Sequence, residues 1–346
     1  MTTGPPTPPA AGGPAPPAPD GEERATHREA RDALEREARA LGFRRLGIAP
    51  AGRSPHADRF LAWLDAGRHG GMDYLARKVE RRIDPRETLP GATSVIVVTL
   101  PYADEVPFPD EAEVERGRIA RYARGRDYHR VMETRLKRLA LRIREGERYR
   151  TWYTVDAGPL LERDWAERAG VGWLGKNGLI IDPEVGSWLF LGAIVTDRAY
   201  PVDAPIPDQC GTCTRCLDAC PTGALIAARS VDARLCISYR TIEDPEPVPA
   251  AGGPDLHGWV YGCDICQEVC PWNSRPARVA PDILPDLEPR SLPDRLTELS
   301  RLDRPRFLEA FTGTSAMRAG HERLAASARA IALARGIEPP PPAAAP

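Results

Sequence analysis

The sequence has almost no lysine, no long apolar run and no signal-like start, and each shortage excludes something. Lysine occurs only at Lys78, Lys137 and Lys176, among 47 basic residues. Arginine carries the rest of the positive charge, which points to genomic base composition rather than to function. The formal net charge is −2, so bulk charge does not announce a nucleic-acid binder, and such a contact needs a local basic patch. The apolar runs 94–100 and 188–195 fall far short of the ~20 residues of a transmembrane helix. The N-terminus lacks a charged start followed by an apolar core, so no secretory signal is expected. The expected setting is the cytoplasm, away from any membrane.

What is present suffices for a folded protein. Of 346 residues, 42% are hydrophobic, enough for a sizeable core and, by length, two or three domains. Residues 1–22 and 337–346 are rich in Pro and Ala, cannot bury an apolar face, and are expected to be disordered tails. Between them, 26–41 reads as an amphipathic helix and 43–48 as a strand. A buried strand is expected at 94–100. Met132, Leu136, Leu139 and Ile143 fall at helical spacing within 130–144. A strand at 149–155 ends at Asp156-Ala-Gly-Pro159, a helix follows at 159–170, and 179–181 with 188–196 look like a strand pair. This mixture suggests an α+β or α/β first domain, over 23–200. Near Pro201 the prolines thicken and all eight cysteines follow. A ferredoxin-like domain is expected over 201–285 and a short helical segment over 286–336.

The cysteines carry the chemistry. Cys210-x2-Cys213-x2-Cys216-x3-Cys220-Pro221 is the bacterial ferredoxin run, in which three thiolates hold one [4Fe–4S] cluster and the fourth crosses to the other. Cys263-x2-Cys266-x3-Cys270-Pro271 is a second run with one cysteine missing, and Cys236 is available to replace it. Cluster one then takes Cys210, Cys213, Cys216 and Cys270. Cluster two takes Cys220, Cys236, Cys263 and Cys266, and no thiol is left over. Disulfides are disfavoured by the lack of an export signal. Structural zinc suits paired C-x2-C units, but not the full run ending in Cys-Pro. About 180 residues of folded chain before the first cysteine argue against a simple dicluster electron carrier.

Several stretches resemble epoxyqueuosine reductases: Arg121-Tyr-Ala-Arg-Gly-Arg-Asp-Tyr-His129, Val155-Asp-Ala-Gly-Pro159, Gly172-Trp-Leu-Gly-Lys-Asn177, Leu235-Cys-Ile-Ser-Tyr239 and Tyr261-Gly-Cys-Asp-Ile-Cys-Gln-Glu-Val-Cys-Pro-Trp-Asn273. Phe311-Thr-Gly-Thr-Ser315 agrees too, and the likeness runs from about residue 26 to about residue 336. The family is related in architecture to corrinoid reductive dehalogenases, which leaves a dehalogenase-like reductase as a rival. Such enzymes usually carry a twin-arginine signal, and none is visible here. A third rival is a cluster-bearing RNA-binding protein without catalysis.

The resemblance implies an oxidoreductase that reduces the epoxide of epoxyqueuosine, at the wobble position of a tRNA anticodon stem-loop, to queuosine. It implies an N-terminal corrinoid-binding domain, with cob(II)alamin fed by the two clusters, an external electron donor and a monomer. The family's proton donor falls on Asp156, whose carboxyl is then expected to be raised by burial. The ordinary use of Asp there is to cap the following helix. Candidate cofactor contacts are Arg82, Tyr122, Asp156, Ser238, Cys263 and Asp264. Arg82 can meet an amide or phosphate, its ordinary alternative being a surface ion pair. Lys176 and Asn177 are candidates for cofactor or tRNA, or a plain turn. The cobalamin-binding run Asp-x-His-x-x-Gly is absent, and His257 in Asp255-Leu-His257-Gly258 reads as a loop residue. Thirteen Arg or Lys against four Asp or Glu over 116–150 make a basic patch suited to phosphate, or the solvated face of a helix. Trp173 and Trp272 are candidate stacking surfaces for a flipped base, or core.

Overall fold

The computed structural model describes residues 21–102, 108, 113–274 and 284–339. The expected N-terminal tail lies almost wholly outside these residues, as does most of the C-terminal one.

Period-two patterning builds the first layer. Helix α1 (Gly21–Ala40) precedes strand β1 (Arg45–Pro50). Strand β2 (Ser94–Pro101) is buried along its whole length. Helix α2 (Tyr128–Arg144), strand β3 (Thr151–Thr154), helix α3 (Glu162–Arg168) and strand β4 (Leu189–Thr196) follow. The strands form one sheet in the order β1-β2-β4-β3, every neighbouring pair antiparallel. Of the two arrangements left open by the sequence, the domain is therefore α+β.

Alternation along β2 sends Ile96, Val98 and Leu100 to one face and Val95 and Val97 to the other. The first set packs with Leu34 of α1 and Met132, Leu136, Leu139 and Ile143 of α2. The second packs with Trp165 and Ala166 of α3. Burial on both faces explains why β2 reads as a continuous apolar run. Gly192 lets α2 approach the sheet, because a Cβ there would lie 2.9 Å from Leu136 and Met132 side-chain carbons. Leu136 is fully buried. Leu136→Ala is expected to cost about 2–5 kcal/mol, read as a lower urea midpoint with an unchanged slope.

Two expectations need correction. Residues 179–181 and 188–196 do not pair with each other. Ile180–Ile181 pairs with Trp173–Leu174, while β4 lies in the main sheet. The reason is the Gly-rich turn at 175–178, which folds the chain back on itself before β4 begins. The expected domain limits are also crossed by packing. Trp259–Tyr261 runs parallel to Arg118–Ile119. The C-terminal helix α4 (Gly320–Ala334) and helices Leu296–Leu299 and Arg304–Phe311 close over that ribbon. Trp259, Tyr261, Leu296, Phe311, Leu324 and Ile331 share one core. The Tyr261 hydroxyl donates to the Ser315 carbonyl at 2.8 Å. The cysteine segments are thereby tied to the first domain rather than tethered to it.

Candidate functional site

Each cysteine run enters a one-turn helix, Arg215–Asp218 or Ile265–Glu268, and the two turns pack side by side. Short turns aim successive sulfurs inward, and Gly211 at φ +50° and Gly262 at φ +67° make the tight bends that let the backbone close in. The thiols act on one another in two groups. Cys216 feels Cys270 and Cys210, and Cys270 feels Cys210 and Cys213. Cys236 feels Cys220, Cys263 feels Cys236 and Cys220, and Cys266 feels Cys263 and Cys236. One coupling, between Cys266 and Cys216, joins the groups. We propose that each of these two groups is one cluster-holding quartet, as the spacing predicts.

The first quartet lines a cavity of ≈ 240 Å³ with Lys176, Asn177 and Trp272. Burial pushes the Cys263 thiol up to about 12 and Cys266 well above the usual range. Buried thiols of this kind need a metal charge to become thiolates. Among the described residues, no three His, Cys, Asp or Glu side chains converge closely enough for a single metal ion. Sulfurs around one zinc all sit roughly 2.3 Å from it, whereas a cubane spreads its four thiolates farther apart. Eight free cysteines in two ferredoxin-type runs are a donor set that fits iron–sulfur cubanes.

A second centre lies where β3 leaves the sheet. Asp156 stands at φ +57°, in the left-handed region, which Asp tolerates better than most residues. This backbone turns its carboxyl out of the sheet, with 69% of the side chain exposed. The Tyr128 hydroxyl donates to Asp156 Oδ2 at 2.9 Å, and His129 Nε2 lies 3.6 Å from the same oxygen. His129 Nδ1 is 2.7 Å from Asp127 Oδ1. Although Asp156 meets solvent, its charge also reaches Tyr74, Tyr122, Glu162 and Arg318. These residues come from separate segments, which meet around the exposed carboxyl as a candidate cleft.

The expected rise of the Asp156 carboxyl is not found. The His129 imidazole 3.6 Å away holds it below the usual carboxylate range, against the opposing effect of burial and with help from the Tyr128 hydrogen bond. Burial works against the imidazolium, yet the hydrogen bond to Asp127 and the nearby Asp156 carboxylate push His129 up to about 9. The resting proton therefore sits on His129. The helix-capping alternative is also not met, because α3 begins after Leu161 with no side-chain cap.

Arg82 and Tyr122 come to this cleft. Arg82 is 9% exposed and donates to the Tyr74 carbonyl at 3.0 Å and the Gly158 carbonyl at 3.3 Å. Its Nε has no partner, and neither does Glu162 Oε1 nearby. Burial and the Asp156 charge push Glu162 up to about 8. Orphaned buried polar atoms of this kind fit a ligand that offers hydrogen-bond partners. Arg82 is thus not a surface ion pair. Tyr122 packs against Tyr128 and Tyr261, and a Cβ on Gly262 would lie 3.5 Å from its ring. The cleft and the second cysteine quartet are therefore neighbours through Tyr122, Gly262 and Cys263.

Other candidates fall elsewhere. Asp264 is buried among protein partners, accepting from the Arg121 backbone N–H at 2.7 Å, and burial pushes it up to about 7. It locks the Tyr122 turn onto the cluster loop rather than facing a ligand. Ser238 lies in the helix after Cys236, its carbonyl accepting from Thr241. Lys176 and Asn177 meet the cysteine loops. Trp173 is core, edge-on to Trp272, whose ring lines the cluster cavity, so neither is an open stacking surface. His257 lies in a loop beside Asp255, as expected. The basic patch divides. Arg116, Arg126, Arg135 and Arg150 are paired with Asp294, Asp286 and Asp197, whereas Arg130, Lys137, Arg138 and Arg142 form an exposed face of α2.

A family model described as "Epoxyqueuosine reductase QueG, DUF1730" matches residues 82–157, the span holding Arg82, Tyr122, His129 and Asp156. A "4Fe-4S double cluster binding domain" model matches 209–273. An epoxyqueuosine reductase of Synechocystis is 43% identical over 79% of this chain and 95% of its own length. The chain belongs to the epoxyqueuosine reductase family. The Escherichia coli epoxyqueuosine reductase is 39% identical over 86% of this chain and 79% of its own. A crystal structure of an epoxyqueuosine reductase with an epoxyqueuosine-modified tRNA-Tyr stem loop superposes with a TM-score of 0.80, at 31% identity, covering 89% of this chain and 82% of that one.

Within this epoxyqueuosine reductase family member, sequence reasoning passed over three residues of the cleft. His129 and Tyr128 stood in a quoted motif, and the Asp127-x-His129 spacing was the available signal. Glu162 gave none, since a Glu in a first helical turn is ordinary.

Proposed function

We propose that this chain reduces the epoxide of epoxyqueuosine in a tRNA anticodon stem-loop to the alkene of queuosine. The observation that carries this is the Asp156–His129–Tyr128 group, open to a cleft that borders a four-cysteine shell through Tyr122 and Cys263. The net change is addition of two electrons and two protons, cleavage of both epoxide C–O bonds, formation of a C=C bond and release of water.

A cobalamin bound in the cleft would supply a low-valent metal centre able to deliver electrons to the strained carbon. Arg82, Tyr122 and Cys263 would border it, and Glu162, neutral at pH 7, would donate to one of its amide groups. Asp156 would pass protons to the departing oxygen, and His129 would reload it. Such general-acid help is worth typically 10²–10⁴-fold. Electrons would enter from an external carrier at cluster one and leave through cluster two. The exposed basic face of α2 would meet tRNA phosphates. Monomer and cytoplasm remain part of the proposal.

Anaerobic incubation of the cobalamin- and cluster-loaded protein with an epoxyqueuosine stem-loop and a low-potential reductant tests this. The RNA is expected to lose one oxygen atom by mass. An unchanged mass with both clusters reduced overturns the proposal.

His129, pushed up to about 9, is charged below that pH and neutral above it. Turnover is expected to fall as pH rises through about 9, and His129→Gln is expected to lower kcat and abolish that limb. An unchanged profile contradicts the reloading role.

A further inference from the structure

The Gly-Lys-Asn turn of the first domain reaches both cysteine loops, and the proposed electron path gives it no part. Lys176 Nζ donates to the carbonyls of Gly211, at 2.7 Å, and Cys213, at 3.0 Å. Both belong to the loop that presents Cys210 and Cys213, and the side chain lines the same cavity as the first quartet. Next to it, Asn177 Nδ2 lies 3.5 Å from the Cys266 carbonyl.

The turn itself is held firmly. The Arg229 backbone N–H donates to the Lys176 carbonyl at 2.8 Å, and Arg229 Nε donates to the Leu174 carbonyl at 2.8 Å. Arg229 is in turn paired with Asp208, which accepts from the Cys210 backbone N–H at 2.8 Å. The ammonium is therefore delivered to the loop by a fixed backbone and not by a wandering side chain.

We propose that Lys176 is a positioning residue whose ammonium raises the reduction potential of the cluster held by Cys210, Cys213, Cys216 and Cys270. Reduction adds one negative charge to a cluster, and a fixed cation nearby favours the reduced state. The neighbouring carboxylate of Asp208 is neutralised by Arg229, and Arg215 is the other cation lining the cavity. The ammonium serves two carbonyls of the cluster loop at once, and its fixed positive charge, which an arginine would keep, is what acts on the cluster.

The inference rests on the two-cluster reading but not on the tRNA substrate, so the test uses no RNA. Cluster-loaded wild type, Lys176→Met and Lys176→Arg are titrated anaerobically with EPR detection. Cys213→Ser, which removes a ligand of cluster one, identifies the signal of cluster two. Lys176→Met is expected to shift the midpoint of cluster one downward and leave cluster two in place, while Lys176→Arg stays near wild type. An unmoved midpoint in Lys176→Met, an equal shift of both clusters, or Lys176→Arg as low as Lys176→Met overturns the proposal. If the Met variant does not assemble cluster one, Lys176→Gln is titrated instead, and a wild-type midpoint there overturns it equally. Failure of the cluster reading itself shows separately, as a wrong iron content in the wild type.

Discussion

Asp156→Asn is expected to slow reduction of the stem-loop by about 10²–10⁴-fold, the usual worth of a positioned general acid. The amide keeps the shape of the carboxyl and can still accept from Tyr128, but it cannot pass on a proton. Both clusters lie outside the substitution, so iron content and visible absorption are expected to match wild type. A second effect follows from the His129 couple. The hydrogen bond to Asp127 and the nearby Asp156 carboxylate together hold the imidazole near pH 9. Removing one carboxylate lowers it, so in this variant His129 is expected to titrate at a lower pH than in wild type, read by NMR of the imidazole. Full activity in this variant would remove Asp156 from the chemistry.

Cys266→Ser is expected to abolish turnover while leaving the first cluster in place. Cys266 belongs to the quartet that borders the cleft, and burial raises its thiol well above the ordinary range. A serine hydroxyl there is a harder and far less acidic ligand for iron. Iron should fall to about half of the wild-type content, because each quartet completes one four-iron cluster. Electrons then reach cluster one and go no farther. Turnover near wild type with half the iron would mean that the second quartet is not on the path.

Much of this was legible in the sequence because it rests on local spacing. The cysteine arithmetic needs only the short turns of Cys210–Cys220 and Cys263–Cys270, with Cys236 filling the gap. Strand β2 and helix α2 were readable because their apolar residues follow the period of the element. What escaped depends on contacts distant in sequence. The pairing of Trp259–Tyr261 with Arg118–Ile119 leaves no local mark. The state of Asp156 could not be read from burial alone, since it is set by His129, 27 positions earlier, arriving on the first turn of α2. For Trp173 the sequence left stacking and core packing both open, and only its burial against Trp272 decides for the core.

Two cubanes, each wrapped by thiolates drawn from separate stretches of chain, are the centre of this mechanism, and the second of them borders the Asp156 cleft. Metal and acid-labile sulfide analysis of the anaerobically reconstituted protein tests it most directly. About eight iron and eight sulfide per chain are expected. Zinc in their place, or iron without sulfide, would contradict it.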